Sequence, residues 1–241
     1  MKISNIFSPN FSSKKRSNNS IKTIIIHYTG MQSERESLSR LTDLKSKVSS
    51  HFLINRNGKV FRLVNDDKIA WHAGKSSWGK YKNLNNNSIG IELVNKGHKF
   101  GYTNFKKKQI SSLIKICRIL IKKYKIKKKN VIGHSDIAPL RKIDPGEKFP
   151  WKLMADKKIG IWHDCKSNFL KKYRNIKNLE KKDKIKFIKS LHKIGYCFFS
   201  KKKSFLAKII KAFQRHYRQE LINGHIDKEC LIIAQNLLKK L

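Results

Sequence analysis

Val131-Ile132-Gly133-His134-Ser135-Asp136-Ile137-Ala138-Pro139-Leu140-Arg141-Lys142-Ile143-Asp144-Pro145-Gly146 is the stretch around which the rest of the sequence arranges itself. A short apolar run enters a loop that carries His134, Lys142 and Asp144, which suits a pair of metal ligands with a cation beside them. A distant histidine, His27, ends another apolar run, Ile24-Ile25-Ile26. This pattern raises a zinc site built from His27, His134 and Asp144.

Reading outward from the loop gives the fold. Residues 105–124 place Ile110, Leu113, Ile114, Cys117, Leu120, Ile121 and Tyr124 at helical spacing with lysines opposite, and Thr103 or Asn104 is available as N-cap. Before that helix, residues 88–94 alternate, with Ile89, Ile91 and Leu93 on one face and Gly90, Glu92 and Val94 on the other. Strand, helix and Val131-Ile132 form a β-α-β crossover, so the expected class is α/β, a central mixed sheet flanked by helices. Glu92 and His134 then sit at strand ends, where such folds build sites. A lone carboxylate on so apolar a strand needs a reason.

The N-terminal side adds strands. Residues 1–20, rich in Ser, Asn and Lys, read as an extended lead-in without periodicity, and the ordered domain is expected from Ile21. Ile24 to Tyr28 is a β-branched strand with Ile25 and His27 on one face, stopped by Thr29-Gly30. A modest helix is expected over 34–44, then strands over 48–54 and 59–64 joined through Asn55-Arg56-Asn57-Gly58, a hairpin signal. Residues 69–87 mix Trp71, His72, Trp78 and Tyr81 with Gly, Ser and Asn; they read equally as a ligand-binding wall or as a loop pinned by buried tryptophan.

Beyond Trp151 the periodicity weakens. The expected division is a lead-in 1–20, an α/β domain 21–160, a polar Lys-rich linker 161–178 and a three-helix module 179–241. The module's helices are read over 184–194, 205–217 and 231–241, with Asp227 as N-cap of the last and Ile226 stapling against Leu231.

Composition sets the partners. Lys+Arg 56 against Asp+Glu 16 gives a formal charge of +40, which attracts anionic polymers such as nucleic acid, anionic membrane and acidic wall glycan. Because Lys, Asn and Ile are spread along the whole chain, the charge reads as compositional bias rather than a patch, and no specific nucleic-acid partner is expected. The four cysteines, Cys117, Cys165, Cys197 and Cys230, show no CxxC spacing and indicate neither a thiolate site nor disulfides. With no continuous apolar h-region near Met1 and no run of about 18 apolar residues, the expectation is a monomer made in the cytoplasm, with the periplasm or outer membrane as alternative.

On chemistry, a catalytic zinc takes about three protein ligands and keeps one position open. His27, His134 and Asp144 qualify, but spacing alone leaves His51, His72, His98, His163, His192, His216 and His225 open as well. Glu92, among apolar neighbours that raise its pKa, is the candidate proton carrier. Lys142 points to the same side as Asp144 on an extended segment and could stabilise an oxyanion. Their plainer readings are a structural ion pair and a solvated lysine.

Ile24-Ile25-Ile26-His27-Tyr28-Thr29, Val48-Ser49-Ser50-His51-Phe52-Leu53-Ile54, Ala70-Trp71-His72-Ala73-Gly74, Asn87-Ser88-Ile89-Gly90-Ile91-Glu92-Leu93 and Gly133-His134-Ser135-Asp136-Ile137-Ala138-Pro139 through Lys142-Ile143-Asp144-Pro145-Gly146 resemble, in order, the type 2 zinc N-acetylmuramoyl-L-alanine amidases, which share their fold with peptidoglycan-recognition proteins. The resemblance covers residues 21–151. It implies Zn2+ held by His27, His134 and Asp144, Glu92 as catalytic carboxylate, Lys142 as transition-state cation, and a peptidoglycan or muropeptide substrate cut at the lactyl–L-alanine amide. Trp71, His72 and Trp78 are then expected in the substrate wall, and His51 in a structural role. Where some relatives carry a tyrosine before the equivalent of His51, this chain has Ser50, which leaves the proton work to Glu92. Ile194-Gly195-Tyr196, Ala212-Phe213-Gln214-Arg215-His216-Tyr217 and Gly224-His225-Ile226-Asp227 resemble the small helical peptidoglycan-binding domain. A recognition protein without turnover and a basic nucleic-acid-binding protein are the rival expectations.

Overall fold

A computed structural model describes residues 2–199 and 203–241. The strands are β1 (Ile3–Asn5), β2 (Phe11–Ser12), β3 (Thr23–Tyr28), β4 (Phe52–Ile54), β5 (Val60–Arg62), β6 (Ile69–Ala70), β7 (Ser77–Trp78), β8 (Tyr81–Lys82), β9 (Ser88–Leu93) and β10 (Val131–Gly133). The helices are α1 (Glu34–Thr42), α2 (Lys107–Tyr124), α3 (His134–Ile137), α4 (Trp151–Asp156), α5 (Ser167–Lys171), α6 (Lys181–Ile194), α7 (Lys203–Tyr217) and α8 (Lys228–Leu238). Six strands form the central sheet in the order β1-β5-β4-β9-β3-β10. Only the β4–β5 hairpin is antiparallel, so the sheet is mixed, as expected. The crossover from β9 through α2 to β10 steps over β3, which lies between them.

Alternation along the strands divides the core. Ile24, Ile26, Ile89, Ile91 and Val131 pack with Ile110, Leu113, Cys117 and Leu120 of α2. Ile25 and Ile132, from the other face, belong to a cluster that runs through Ala73, Trp78, Leu84 and Ile137 into Leu191, Ile194, Ile209 and Phe213 of the C-terminal helices. The three-helix module therefore covers one face of the sheet.

Several expectations change here. The lead-in is not free of structure: β1 pairs in parallel with β5 at the sheet edge, and Arg16 donates to the backbone carbonyls of Asp66, Asn85 and Ser88. The polar composition of 161–178 suggested a linker, yet this segment contains α5, buries Leu170, and pairs Arg174 with the buried Glu229 through two bonds of 2.8 and 2.7 Å. Neither Thr103 nor Asn104 caps α2; Lys106 does so without a side-chain bond, while the Thr103 carbonyl accepts from Asn95 and its hydroxyl from Arg56. Asp227 does cap α8, accepting from the Cys230 N–H at 2.8 Å. At the hairpin, Gly58 takes φ +85, and a Cβ there would stand 2.7 Å from the Lys108 carbonyl oxygen.

Candidate metal centre and active site

Parallel pairing of β3 with β9 sets Thr23 against Ser88, Ile25 against Gly90 and His27 against Glu92. These residues recur at a period of two, so all point to one face of the sheet. His27 and Glu92 thereby stand side by side at the carboxyl ends of two central strands. Gly133 of β10 pairs with Ile26, so His134 is the first residue past the strand end, opening α3. The loop returns Asp144 to the same place, tied by the Ser135 N–H donating to the Asp144 carbonyl at 2.8 Å.

His27 Nδ1 and His134 Nδ1 are 3.0 Å apart, and each is 3.1 Å from Asp144 Oδ2. Among the described residues these three are the one group of His, Cys, Asp and Glu side chains whose ligand atoms converge in this way, and all three are buried.

The hydrogen bonds behind the imidazoles fix which nitrogen bears the proton. The Leu84 carbonyl can only accept, so the Ser88 hydroxyl donates to it at 2.5 Å. The Ser88 oxygen then accepts from His72 Nε2–H at 3.1 Å, and His72 Nδ1 accepts from His27 Nε2–H at 3.0 Å. His134 Nε2–H donates to the Ala73 carbonyl at 3.2 Å. Both Nδ1 atoms are consequently lone pairs, facing each other and a carboxylate oxygen. Three converging lone pairs repel unless a cation lies between them. Ligand atoms on a tetrahedral zinc are about 3.3 Å apart, close to the spacing found, and the donor set therefore fits a divalent metal.

Burial lowers the His27 pKa to about 4, helped by the charge of His134 and opposed by Asp144, so the ring stays neutral and able to ligate. Burial also pushes His72 well below its ordinary value, with His27 and His51 adding to the effect. Asp144 is held below the carboxylate range: burial acts against its charge, but the adjoining imidazoles of His134 and His27 outweigh it whenever a proton, in place of a metal, sits on their Nδ1 atoms. Glu92 moves the opposite way, from 4.5 to about 8, through burial and the charge of Asp144, with Lys142 opposing. Its Oε2 is buried without a hydrogen-bond partner among the described residues.

A cleft of about 340 Å³ opens over these groups, lined by His27, Glu92, His134, Asp144, Lys142 and Trp71, with Arg40 and Arg141 also on its wall. The structure thus brings together seven of the expected site residues, counting His72 behind His27. Trp71 sits on the wall with its indole N–H donating to Ser12 at 3.0 Å. His72 is buried, both ring nitrogens engaged, which makes it a support for His27 more than a surface for substrate. Trp78 is a correction. It lies in the core, edge-on to Tyr196 with 5.0 Å between ring centroids and against the backbone of Gly195, because that apolar ring closes the seam with the C-terminal module. His51 is buried under the sheet face, its Nδ1 accepting from the Gly90 N–H at 3.0 Å.

Two residues escaped sequence reasoning. Ser88 is on the same alternating face as Gly90 and Glu92, so its inward direction was readable although its partner was not. Gly90 is explained by His72, whose Cγ would stand 2.4 Å from a Cβ at position 90.

Comparison with known proteins agrees with this geometry. The family profile described as N-acetylmuramoyl-L-alanine amidase matches residues 17–147. N-acetylmuramoyl-L-alanine amidase AmiD of Escherichia coli is 38% identical over 236 residues, covering 91% of this chain and 83% of that protein. The 1,6-anhydro-N-acetylmuramyl-L-alanine amidase AmpD of Haemophilus influenzae is 33% identical over 165 residues, 61% of this chain and 87% of that one. In structure, E. coli AmiD in complex with the substrate anhydro-N-acetylmuramic acid-L-Ala-D-gamma-Glu-L-Lys superposes with a TM-score of 0.81 at 35% identity, covering 95% of this chain and 92% of that one. AmpDh3 of Pseudomonas aeruginosa gives the same TM-score, 0.81, at 29% identity and 98% coverage of each chain. With a family match over more than half its length and a relative aligned almost end to end, the chain belongs to the N-acetylmuramoyl-L-alanine amidase family.

Proposed function

We propose that this chain is a zinc hydrolase that cuts the amide between the lactyl group of N-acetylmuramic acid and L-alanine in muropeptides, including those with an anhydro sugar. The observation that carries the reading is the set of three converging lone pairs on His27, His134 and Asp144 beside the buried Glu92 Oε2, which has no hydrogen-bond partner among the described residues. When bound, a zinc ion there would supply Lewis acidity, polarising the scissile carbonyl and acidifying water. His27, His134 and Asp144 hold it. Glu92 removes a proton from the attacking water as oxygen joins the carbonyl carbon, then delivers that proton to the leaving L-alanine nitrogen as the C–N bond breaks. The Lys142 ammonium faces the oxygen that gains charge. The products are the free lactyl carboxylate and the peptide amine. Arg40, Arg141 and Lys142 around the cleft suit a substrate whose peptide carries carboxylates.

The test is release of L-alanine-terminated peptide from purified muropeptides and from intact wall, with and without a chelator. Loss of release on chelation and its return with zinc is expected. Release unaffected by chelation would overturn the metal reading, and binding without release would favour a recognition protein.

A further inference from the structure

Asp136 lies two residues after the ligand His134, inside α3, and its side chain is 1% exposed. Three donors meet its carboxylate: the Gly133 N–H at 2.8 Å and His216 Nδ1 at 2.7 Å on Oδ2, and the Tyr196 hydroxyl at 2.6 Å on Oδ1. Only the first belongs to the same turn. Tyr196 follows α6 and His216 lies in α7, 60 and 80 residues away in sequence. His216 cannot swing aside, since its ring is stacked between Trp151 at 3.8 Å and Tyr217 at 4.0 Å. Tyr196 is buried, with the Trp78 ring edge-on against it at 5.0 Å. A fully bonded buried carboxylate between two rigid aromatic donors defines a position as a peg in a socket does. The peg is one helical turn that begins with the metal ligand.

We propose that Tyr196 and His216 are positioning residues for the metal centre: acting through Asp136, they hold the Gly133–Ile137 turn so that His134 Nδ1 meets His27 and Asp144. The C-terminal module is then part of the active site, whatever else it contacts. This rests on the metal reading above. Charge-assisted bonds to a buried carboxylate are strong, and leaving one of its oxygens unpaired is costly. Groups that orient a metal ligand from behind typically change metal affinity about 10–100-fold when lost.

The experiment measures zinc affinity by chelator competition in the full-length protein, at a temperature where every variant is folded, together with the visible spectrum of the cobalt(II)-substituted form. Tyr196→Phe keeps the ring and its packing, so it remains folded, and it should weaken zinc about tenfold or more and alter the cobalt bands. His216→Leu should do the same, while His216→Asn, whose amide can donate from the place of Nδ1, should recover most of the affinity. Leu237→Ala, a core truncation in α8 that leaves all three donors to Asp136 in place, should lower the melting temperature and leave affinity and spectrum alone. Unchanged affinity and spectrum in Tyr196→Phe and His216→Leu would overturn the proposal, as would an equal loss in Leu237→Ala. Failure of the unaltered protein to bind zinc would instead overturn the metal reading.

Discussion

Glu92 and Lys142 share one cleft but are separable by what their loss should do. Glu92→Gln keeps shape and removes the base, and turnover should fall about 100- to 10,000-fold with zinc retained. The same substitution has a signature in the metal-free protein. A carboxyl raised to about 8 from 4.5 keeps its proton in the folded chain after the unfolded chain has lost it, so stability falls as pH rises across that window and levels off above it. Glu92→Gln cannot ionise, and its melting temperature relative to the parent should therefore climb from pH 4.5 to 8. Parallel curves would show that Glu92 is not held protonated. Lys142→Ala should lower kcat about 100- to 1,000-fold, the usual cost of one oxyanion donor, with zinc content unchanged; zinc loss measured by elemental analysis would place Lys142 among the groups that build the metal site.

Among elements, β9 does two jobs, and alternation made one of them legible. Ile89 and Ile91 turn to α2, Gly90 and Glu92 to the site, as the period of two predicts. The partner that needs Gly90 was not legible, because His72 arrives from a separate loop and is placed by tertiary packing. Gly90→Ala tests that relation: a Cβ 2.4 Å from the His72 ring must displace it, unhooking the chain from Leu84 through Ser88 to His27. A stability loss of about 1–3 kcal/mol is expected from the overpacking, accompanied by weaker zinc binding in chelator competition; stability loss with unaltered zinc binding would show that His27 does not depend on His72. Other misreadings share a cause. The N-terminal strand β1 has three residues and depends on β5 for its pairing, so no periodicity could announce it. Trp78 occupies the same kind of polar, Gly-rich loop as Trp71, and only the helices that arrive more than a hundred residues later decide that one ring is buried and the other lines the cleft.

At the scale of the whole molecule, the motifs carrying His27, His134 and Asp144 were readable because chemistry restricts such clusters to few residue types, whereas the relation between the two modules was not. Residues 161–178 look like a tether because their lysines are polar in any context; what anchors them is Arg174 against Glu229, 55 residues away, with Arg218 bonded to Asp227 at 2.7 Å and to Glu229 at 3.0 Å. Removing one member of such a buried ion network leaves a charge uncompensated, which ties the segment to the C-terminal helices. The apolar side is equally continuous, since Ile25 and Ile132 of the sheet share a cluster with Leu191, Phe213 and Leu237 of the helices. A chain whose second sheet face shares one continuous core with its C-terminal module should unfold as one unit. Calorimetry of the full-length protein should give a single transition with equal calorimetric and van't Hoff enthalpies. Glu229→Ala should lower that one midpoint without splitting it. Two resolved transitions, with the earlier one alone moved by Glu229→Ala, would mean that the helices ride on the amidase fold as an independent domain.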